Sequence, residues 1–238
     1  MYPCTLSLIR HAESAGNVAN AAAIQQRRHE LDLALRDMDV PLSPLGETQA
    51  RELADWFRRA ERPDAVICSP YARAVQTATI ALACAGLECD VVLDERLRER
   101  EFGILDRLTK FGIEARYPEQ AAARAFLGKF FHRPPGGESW ADVAARVRGF
   151  VTDLRLDYAQ RRVVVVTHQA VIMLFRYVLD GLDETELLAL DRAEEIVNTG
   201  VTTYAGDGHT MRLVAFNDAD HLSPAETTAQ PDRSVAPR

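Results

Sequence analysis

The sequence predicts an α/β domain, a three-layer sandwich with a mainly parallel central sheet and a helical cap formed by insertions. Short apolar runs alternate with segments of helical periodicity, which is the pattern of strands joined by crossover helices. One run, Val163–Val166, consists of valine alone and is typical of a strand buried on both faces. The chain has 238 residues, 47% of them hydrophobic, which is enough for one sizeable core. We expect one domain over residues 1–217.

Four apolar runs are predicted as strands. They are Thr5–Ile9, Ala65–Cys68, Val91–Leu93 and Val163–Thr167. Each is short, bounded by polar residues and separated from the next by a segment that can form a helix. The order of elements therefore favours parallel pairing, since parallel strands need a crossover connection.

A serine precedes each of three predicted helices, where its hydroxyl can cap the first turn. These serines are Ser43, Ser69 and Ser139, and the second helix is expected to reach about Ala85. Proline follows Ser43 and Ser69, at the first helical position where its missing N–H costs nothing. The third helix shows one apolar face from Trp140 to Leu154, and a fourth helix is predicted over Ala170–Leu179.

Two further segments are predicted to form the cap. Asn17–Asp39 is rich in Ala, Gln and Arg and is expected to be helical, with the insertion itself at about 18–39. The second segment, Ile104–Arg133, is also expected to be helical, with its insertion at about 104–133. Residues 218–238 are rich in Pro, Ser, Thr and Ala, so we expect a flexible C-terminal tail.

The composition argues against several classes of protein. A formal net charge of -7 disfavours nucleic-acid and membrane partners, since both require an excess of Lys and Arg. The cysteines form no C-x-x-C pair, so Cys4, Cys68, Cys84 and Cys89 are interpreted as buried thiols in a reducing cytosol. No signal peptide or membrane-spanning run is recognisable. We expect a cytoplasmic protein with a small-molecule partner, and the sequence leaves its oligomeric state open.

Reactive side chains follow each of the four predicted strands. In chain order they are Arg10-His11, Arg73, the pair Glu95 and Glu99, and His168-Gln169. Ligands of open α/β sheets bind beyond the carboxyl ends of the strands, so we expect these side chains to meet there. A neutral histidine can attack phosphorus, arginines can hold the phosphate oxygens and keep the histidine pKa low, and a carboxylic acid can protonate the leaving group. The set therefore favours phosphoryl transfer through a histidine.

Six sequence blocks together resemble the histidine phosphatase superfamily, which includes the cofactor-dependent phosphoglycerate mutases. The blocks are "LIRHAESAGN", "PLSPLGETQA", "SPYARAVQTA", "LREREFG", "PPGGESWADV" and "VVVVTHQAV", in the family's order over roughly Thr5–Leu179. One Arg-His-Ala is a weak signal, whereas six ordered blocks are specific.

The resemblance implies a role for individual residues. His11 is similar to the phosphorylated nucleophile, Arg10 and Arg73 to phosphate clamps, Asn17 to an uncharged phosphate contact, Glu99 to the proton donor and His168 to a second phosphate-binding histidine. Glu95 and Glu101 are the alternatives for the proton donor. Ala12 and Gln169 stand where the family usually has glycine. We expect both residues to act through their backbone groups alone, and the backbone of Gln169 to contact phosphate.

The choice between phosphatase and mutase depends on the cap. Lys110 lies eleven residues after Glu99 and matches a substrate lysine of the mutases, while Lys129 and Arg133 could contact a substrate carboxylate. The paired arginines that the mutases carry in this region are absent. We therefore expect a phosphatase that hydrolyses a small phosphorylated metabolite, with mutase activity as the alternative.

Two other interpretations compete with phosphoryl transfer. A metal site on His11 and His168 is disfavoured because Arg10 and Arg73 would repel a cation, so we predict no metal and no cofactor. A non-catalytic phosphate-binding module would need neither nucleophile nor acid. The remaining histidines carry no chemical role: His29, His132 and His209 are expected at the surface and His221 in a structural position.

Overall fold

A six-stranded sheet forms the centre of the computed structural model, which describes residues 1–229. The strands are β1 (Thr5–Arg10), β2 (Ala65–Cys68), β3 (Val91–Leu93), β4 (Arg162–Thr167), β5 (Val201–Gly206) and β6 (Met211–Asp218). They lie in the order β3-β2-β4-β1-β5-β6. The first four are parallel, while β5 pairs antiparallel with both β1 and β6. The mainly parallel sheet is confirmed, and the two antiparallel strands are an addition that the sequence patterns do not predict.

Eight α-helices occur among the described residues. They are α1 (Ala15–Gln25), α2 (Pro44–Arg59), α3 (Ala72–Ala85), α4 (Lys110–Arg116), α5 (Pro118–Phe131), α6 (Trp140–Asp157), α7 (Gln169–Leu179) and α8 (Glu184–Ala193). Three 3₁₀ turns supplement them, at Asp37–Asp39, Glu95–Leu97 and Gly103–Leu105. None of the helices over residues 1–229 combines the length and apolarity that crossing a bilayer requires.

Alternate residues of the central strands pack into two separate apolar layers. On β4, Val163 and Val165 contact the core formed with α6 and α7, whereas Val164 and Val166 contact the core formed with α2 and α3. This alternation is the period-two geometry of a strand with both faces covered. The three-layer arrangement is therefore confirmed.

Two of the three predicted serine caps are present. The Ser43 and Ser139 hydroxyls accept the backbone N–H groups of Gly46 and Asp142, at the first turns of α2 and α6. Ser69 is not the N-cap of α3, which begins only at Ala72 after Tyr71. Its hydroxyl instead lies 2.8 Å from the Nε2 atom of His168. The expected helix is present, but Ser69 contacts His168 and does not cap the helix.

The first cap segment is helical only in part. Helix α1 ends at Gln25, and Arg27 adopts a left-handed conformation with φ 52°. The chain then runs irregularly beside the second cap segment, where Leu31 donates its N–H to the Arg107 carbonyl at 2.9 Å. The expectation of a helix to Asp39 is wrong, because the chain leaves the helical conformation at Arg27 and pairs its backbone with the second cap segment instead. The second segment is helical as expected, in α4 and α5.

The described part of the expected tail contacts the body of the protein. Asn198 donates its N–H to the Thr228 carbonyl at 2.8 Å, and the Gln49 side chain donates to the Glu226 carbonyl at 2.6 Å. Strand β6 ends at Asp218, within one residue of the expected start of the tail. The expectation of a flexible tail rests on polar composition alone, and composition does not predict hydrogen bonds to residues distant in sequence. Residues 230–238 lie outside the described residues.

The cysteines are free, and their burial differs from the expectation. Cys68 at the end of β2 is buried, and this burial raises the pKa of its thiol. Cys84 is exposed, and Cys4 and Cys89 are half-buried. The interpretation of all four as buried thiols is wrong for these three, because they lie outside the strands of the sheet, whereas Cys68 is a residue of β2.

Candidate active site

The carboxyl ends of β1 and β4 bring two histidines together. His11 follows β1 and His168 follows β4, and the register pairs Arg10 with Thr167 immediately before them. The two imidazole centres lie 5.0 Å apart, and both residues have no solvent-accessible surface. Sequence separation between them is large, so their meeting follows from the parallel pairing of these neighbouring strands.

The hydrogen bonds of His11 define its tautomer. Its Nδ1 atom lies 2.7 Å from the backbone carbonyl of Ala12, and a carbonyl oxygen only accepts. Nδ1 of a neutral ring therefore carries the proton, and Nε2 carries the lone pair. The Arg73 Nε–H donates to that Nε2 atom at 3.3 Å. The ring is thus oriented with its nucleophilic nitrogen toward a guanidinium.

Arg73 lies in the first turn of α3 and is only 3% exposed at its side chain. Its Nη1 atom donates to the backbone carbonyl of Asp37 at 2.7 Å, and both Nη atoms lie 3.3 Å from the Asp37 carboxylate. A cation in a first helical turn is unfavourably placed against the helix dipole, so an anion nearby is expected. Asp37 supplies one such anion, and no sequence pattern predicts this contact.

Arg10 is fully buried beside His11. Its Nη1 atom donates to the Ile196 carbonyl at 2.5 Å. Its backbone carbonyl accepts the N–H of Thr199, a buried residue with φ 61°. A β-branched residue rarely adopts this left-handed conformation, and such strain persists where the surroundings fix it. Arg73 places a positive charge at the His11 ring, which favours binding of an anion there, and the role of Arg10 as a second phosphate clamp stays a prediction.

Two residues of the loop between β2 and α3 contact the His168 ring. Ser69 contacts its Nε2 atom, and the Tyr71 ring packs edge-on with centres 5.2 Å apart. The Tyr71 hydroxyl donates to the Glu101 carboxylate at 2.7 Å. Burial, together with that carboxylate, raises the pKa of Tyr71, so its hydroxyl stays a donor. Sequence reasoning missed Ser69 and Tyr71, although both lie in the "SPYARAVQTA" block.

The three candidate acids have different surroundings. Glu95 is exposed, and Glu101 is committed to Tyr71. Glu99 is only 4% exposed, and its Oε1 atom accepts the N–H of Arg100 at 2.7 Å. A buried carboxyl group is shielded from bulk water, so a proton that it carries passes to the bound ester and not to solvent. These surroundings favour Glu99, and its role stays a prediction.

Asn17 is buried in the first turn of α1. Its Oδ1 atom accepts from both the N–H and the hydroxyl of Ser14, which completes a capping box. Its amide oxygen is therefore engaged with the helix start, and the NH₂ group is the end suited to an anion. The roles of Asn17 and Gln169 as phosphate contacts stay predictions.

Neither position that departs from glycine requires a left-handed backbone. Ala12 and Gln169 are absent from the residues with positive φ over 1–229. Ala12 uses its backbone groups, since its N–H donates to the Thr77 hydroxyl at 3.0 Å and its carbonyl contacts His11. The expectation that a side chain at these positions is not strained by φ is confirmed.

The cap candidates contact different partners. Lys110 begins α4 and lies over the Phe111 ring, 5.1 Å from its centre. Lys129 pairs with Asp191 of α8, and the exposed Arg133 pairs with Asp142 in the first turn of α6. Their roles in substrate binding stay predictions.

A group of buried cations lies around Lys129. The prediction of a surface position for His132 is wrong, since the residue is only 1% exposed. The polar residues around it in "HRPP" do not indicate that the ring is buried. Burial, together with the Arg124 and Arg100 charges, lowers the pKa of His132. Three buried nitrogens of Arg100, Arg124 and His132 make no hydrogen bond to any described residue. We call Arg100, Arg124 and Lys129 the cap cation cluster; the lowered pKa leaves the nearby His132 ring neutral near pH 7.

The other histidines lie away from the histidine pair. His29 and His209 are exposed, as expected. His221 is buried, with its Nε2 atom 3.0 Å from the Thr199 hydroxyl. Burial lowers the pKa of His221 to about 4, so it is neutral near pH 7. Its structural placement agrees with the expectation.

No group of three or more His, Cys, Asp or Glu side chains within residues 1–229 could hold a metal ion. The use of arginines instead of a metal stays a prediction.

Known proteins are similar to this one in sequence and in fold. Over 135 residues the chain is 39% identical to 6-phosphofructo-2-kinase/fructose-2,6-bisphosphatase of Caenorhabditis elegans, covering 56% of this chain and 28% of that protein. It is 34% identical to a 2,3-bisphosphoglycerate-dependent phosphoglycerate mutase of Methylobacterium radiotolerans, over 82% of this chain and 86% of that one. The chain spans 28% to 54% of the length of the first curated relatives it matches.

A solved structure has a similar fold. Mycobacterial glucosyl-3-phosphoglycerate phosphatase superposes with a TM-score of 0.71 at 30% identity, covering 90% of this chain and 99% of that one. Members of the family are phosphatases or mutases. The family model for the histidine phosphatase superfamily, branch 1, matches residues 6–219, and the chain therefore belongs to that superfamily.

Proposed function

We propose that this protein hydrolyses phosphomonoesters of small metabolites in two steps through a phosphohistidine at His11. The observation that carries the proposal is the orientation of His11. Its Nδ1 atom donates a hydrogen bond to the Ala12 carbonyl, and its Nε2 atom faces Arg73. Attack by a neutral imidazole requires this tautomer and a positive charge beside the phosphate oxygens. A binding module would not require a specific tautomer.

In the first step the phosphate displaces the Arg73 Nε–H from Nε2 of His11. Nε2 then attacks phosphorus, and the bond between phosphorus and the ester oxygen breaks. Glu99 gives its proton to the departing oxygen, while Arg10 and Arg73 stabilise the charge on the phosphoryl oxygens. In the second step water attacks phosphorus and gives a proton to the Glu99 carboxylate. The phosphorus–nitrogen bond breaks, and phosphate and the neutral imidazole are restored.

The variant His11→Ala tests the proposal. It should fold, because the change removes one ring from a site whose backbone is fixed by β1, and it should release no phosphate from any ester. Activity of the well-folded variant within about tenfold of wild type would contradict the proposal, since loss of a nucleophile costs several orders of magnitude. Product analysis with 3-phosphoglycerate separates the alternatives, because a mutase yields 2-phosphoglycerate and little free phosphate.

The cap cation cluster favours a substrate that carries a second anionic group. Arg100 and Arg124 each keep a buried guanidinium nitrogen that makes no hydrogen bond to the described residues, and such donors are costly to leave unpaired, so an anionic group of the substrate would satisfy them. The name of the mycobacterial neighbour contains a phosphoglycerate, which carries a carboxylate. We expect kcat/KM for 3-phosphoglycerate to exceed that for glycerol 3-phosphate, and Arg124→Gln to remove most of that difference. Equal values in the wild type would contradict this substrate class.

A further inference from the structure

Asp37 and the proposed phosphate site share one guanidinium. Both Nη atoms of Arg73 lie 3.3 Å from the Asp37 carboxylate oxygens, and Nη1 also donates to the Asp37 carbonyl. Planar two-point contact of this kind is how guanidinium binds carboxylate and phosphate alike. Each guanidinium nitrogen of Arg73 thus donates to Asp37 or to His11.

We propose that Asp37 competes with the phosphate group of the substrate for Arg73 and thereby weakens the affinity of the site for phosphate. The inference rests on the proposed function, in which His11 attacks a phosphate held by Arg73. It adds a residue that neither the sequence blocks nor the proposed reaction uses.

The distances make the competition unavoidable. A phosphorus atom poised for attack lies about 3–3.5 Å from Nε2 of His11. Arg73 Nε lies 3.3 Å from the same Nε2 atom, so the phosphate oxygens would reach the Arg73 fork. The Asp37 carboxylate already lies on that fork, with a side chain only 21% exposed. Two anions this close repel strongly in a poorly solvated site. Binding of phosphate must therefore displace Asp37 or be weakened by it.

The element that carries Asp37 is suited to such a displacement. It is the 3₁₀ turn Asp37–Asp39, in which no residue is buried, and the preceding Arg36 forms no side-chain cap. Such a turn can move at little cost in buried contacts, since its own residues contribute little to the core. Return of the Asp37 carboxylate to Arg73 would then displace the inorganic phosphate that hydrolysis leaves behind.

The test compares inorganic phosphate binding by calorimetry in wild type, Asp37→Asn and Asp37→Ala. Removing the carboxylate charge should lower the Kd of phosphate by about tenfold or more, because one repelling charge is lost next to the anion. Asp39→Asn is the matched control: it lies on the same turn but pairs with the exposed Arg36, so its phosphate Kd should stay within twofold of wild type.

An unchanged or raised Kd in the folded neutral variants overturns the inference, and a raised one would mean that Asp37 positions Arg73 for phosphate. Either neutral variant that keeps the wild-type circular dichroism suffices for the decision. Phosphate binding that is undetectable in wild type and in both neutral variants also overturns it. Failure of the proposed function is distinguishable, since it is observed as phosphate release by His11→Ala, whereas this test measures binding alone.

Discussion

His11 owes its proposed reactivity to two contacts, one with the next residue of the chain and one with the first turn of α3. The Ala12 carbonyl fixes the proton on Nδ1, and Arg73 faces Nε2. A residue at the end of a strand is suited to this, because the chain has just left the sheet and can turn a carbonyl back onto the ring. The adjacency of Arg10 and His11 at a strand end is visible in the sequence, whereas the tautomer depends on that turn.

The acid can be identified by the leaving group that it assists. Glu99→Gln cannot donate a proton, so it should slow hydrolysis of an alkyl phosphate by about 10²–10⁴-fold and spare an activated aryl phosphate, whose phenolate departs unprotonated. Glu95→Gln is the matched control, since Glu95 is exposed and should show no such selectivity. Steady-state kinetics with both esters measures the difference. Selectivity in Glu95→Gln, or equal loss of both substrates in Glu99→Gln, would place the acid elsewhere.

At the scale of elements, the start of α2 supports the loop that follows His11. The Ser43 hydroxyl caps α2 at Gly46 and also donates to the Glu13 carboxylate at 2.6 Å. The Glu13 carbonyl in turn accepts the Ser43 N–H at 2.9 Å. A Cβ atom on Gly46 would overlap that same carbonyl oxygen. The close approach of helix and loop therefore requires glycine in the "PLSPLGETQA" block.

Gly46→Ala should destabilise the protein, because the added methyl group cannot fit without moving α2 or the loop. Overpacking of this kind costs about 1–3 kcal/mol, which lowers Tm by about 2–4 °C per kcal/mol in a chain of this size. Gly149→Ala is the control: Gly149 is an exposed residue within α6 whose added Cβ would meet only an Arg96 nitrogen at 4.0 Å. Thermal unfolding should show a lower Tm for the first variant alone. Equal Tm values would show that the loop relaxes freely.

The elements that the sequence predicts well are those whose signal is local. The four parallel strands and the helices begun by Ser43 and Ser139 depend on apolar runs and capping hydroxyls within a few residues. The burial of His132 and the contact of Asp37 with Arg73 depend on partners far along the chain, which periodicity does not encode. The residues of the candidate site that follow strand ends are therefore predictable from the sequence. The contacts that the cap makes with the site are not.

At the scale of the whole molecule, the C-terminal segment is connected to the nucleophile by hydrogen bonds. The Thr228 hydroxyl donates to the Asn198 Oδ1 atom at 3.0 Å, and the Asn198 amide donates to the His11 carbonyl at 3.0 Å. Gln49 of α2 also donates to that hydroxyl and accepts the N–H of Glu13. Three regions that are distant in sequence thus meet behind β1. The segment after β6 completes the support of the loop at His11.

This connection predicts an effect of a residue far from the phosphate. Thr228→Val keeps the shape of the side chain but removes the hydroxyl, leaving the Asn198 oxygen without its donor at a cost of about 1–3 kcal/mol. We expect a lower Tm and a kcat reduced several-fold with little change in KM, since the His11 backbone loses support while the arginines remain. Thr227→Val is the matched control, because its exposed hydroxyl donates only to the nearby Ser223 carbonyl. Equal kcat values for the two variants, measured on one alkyl phosphate, would show that the C-terminal segment does not position the nucleophile.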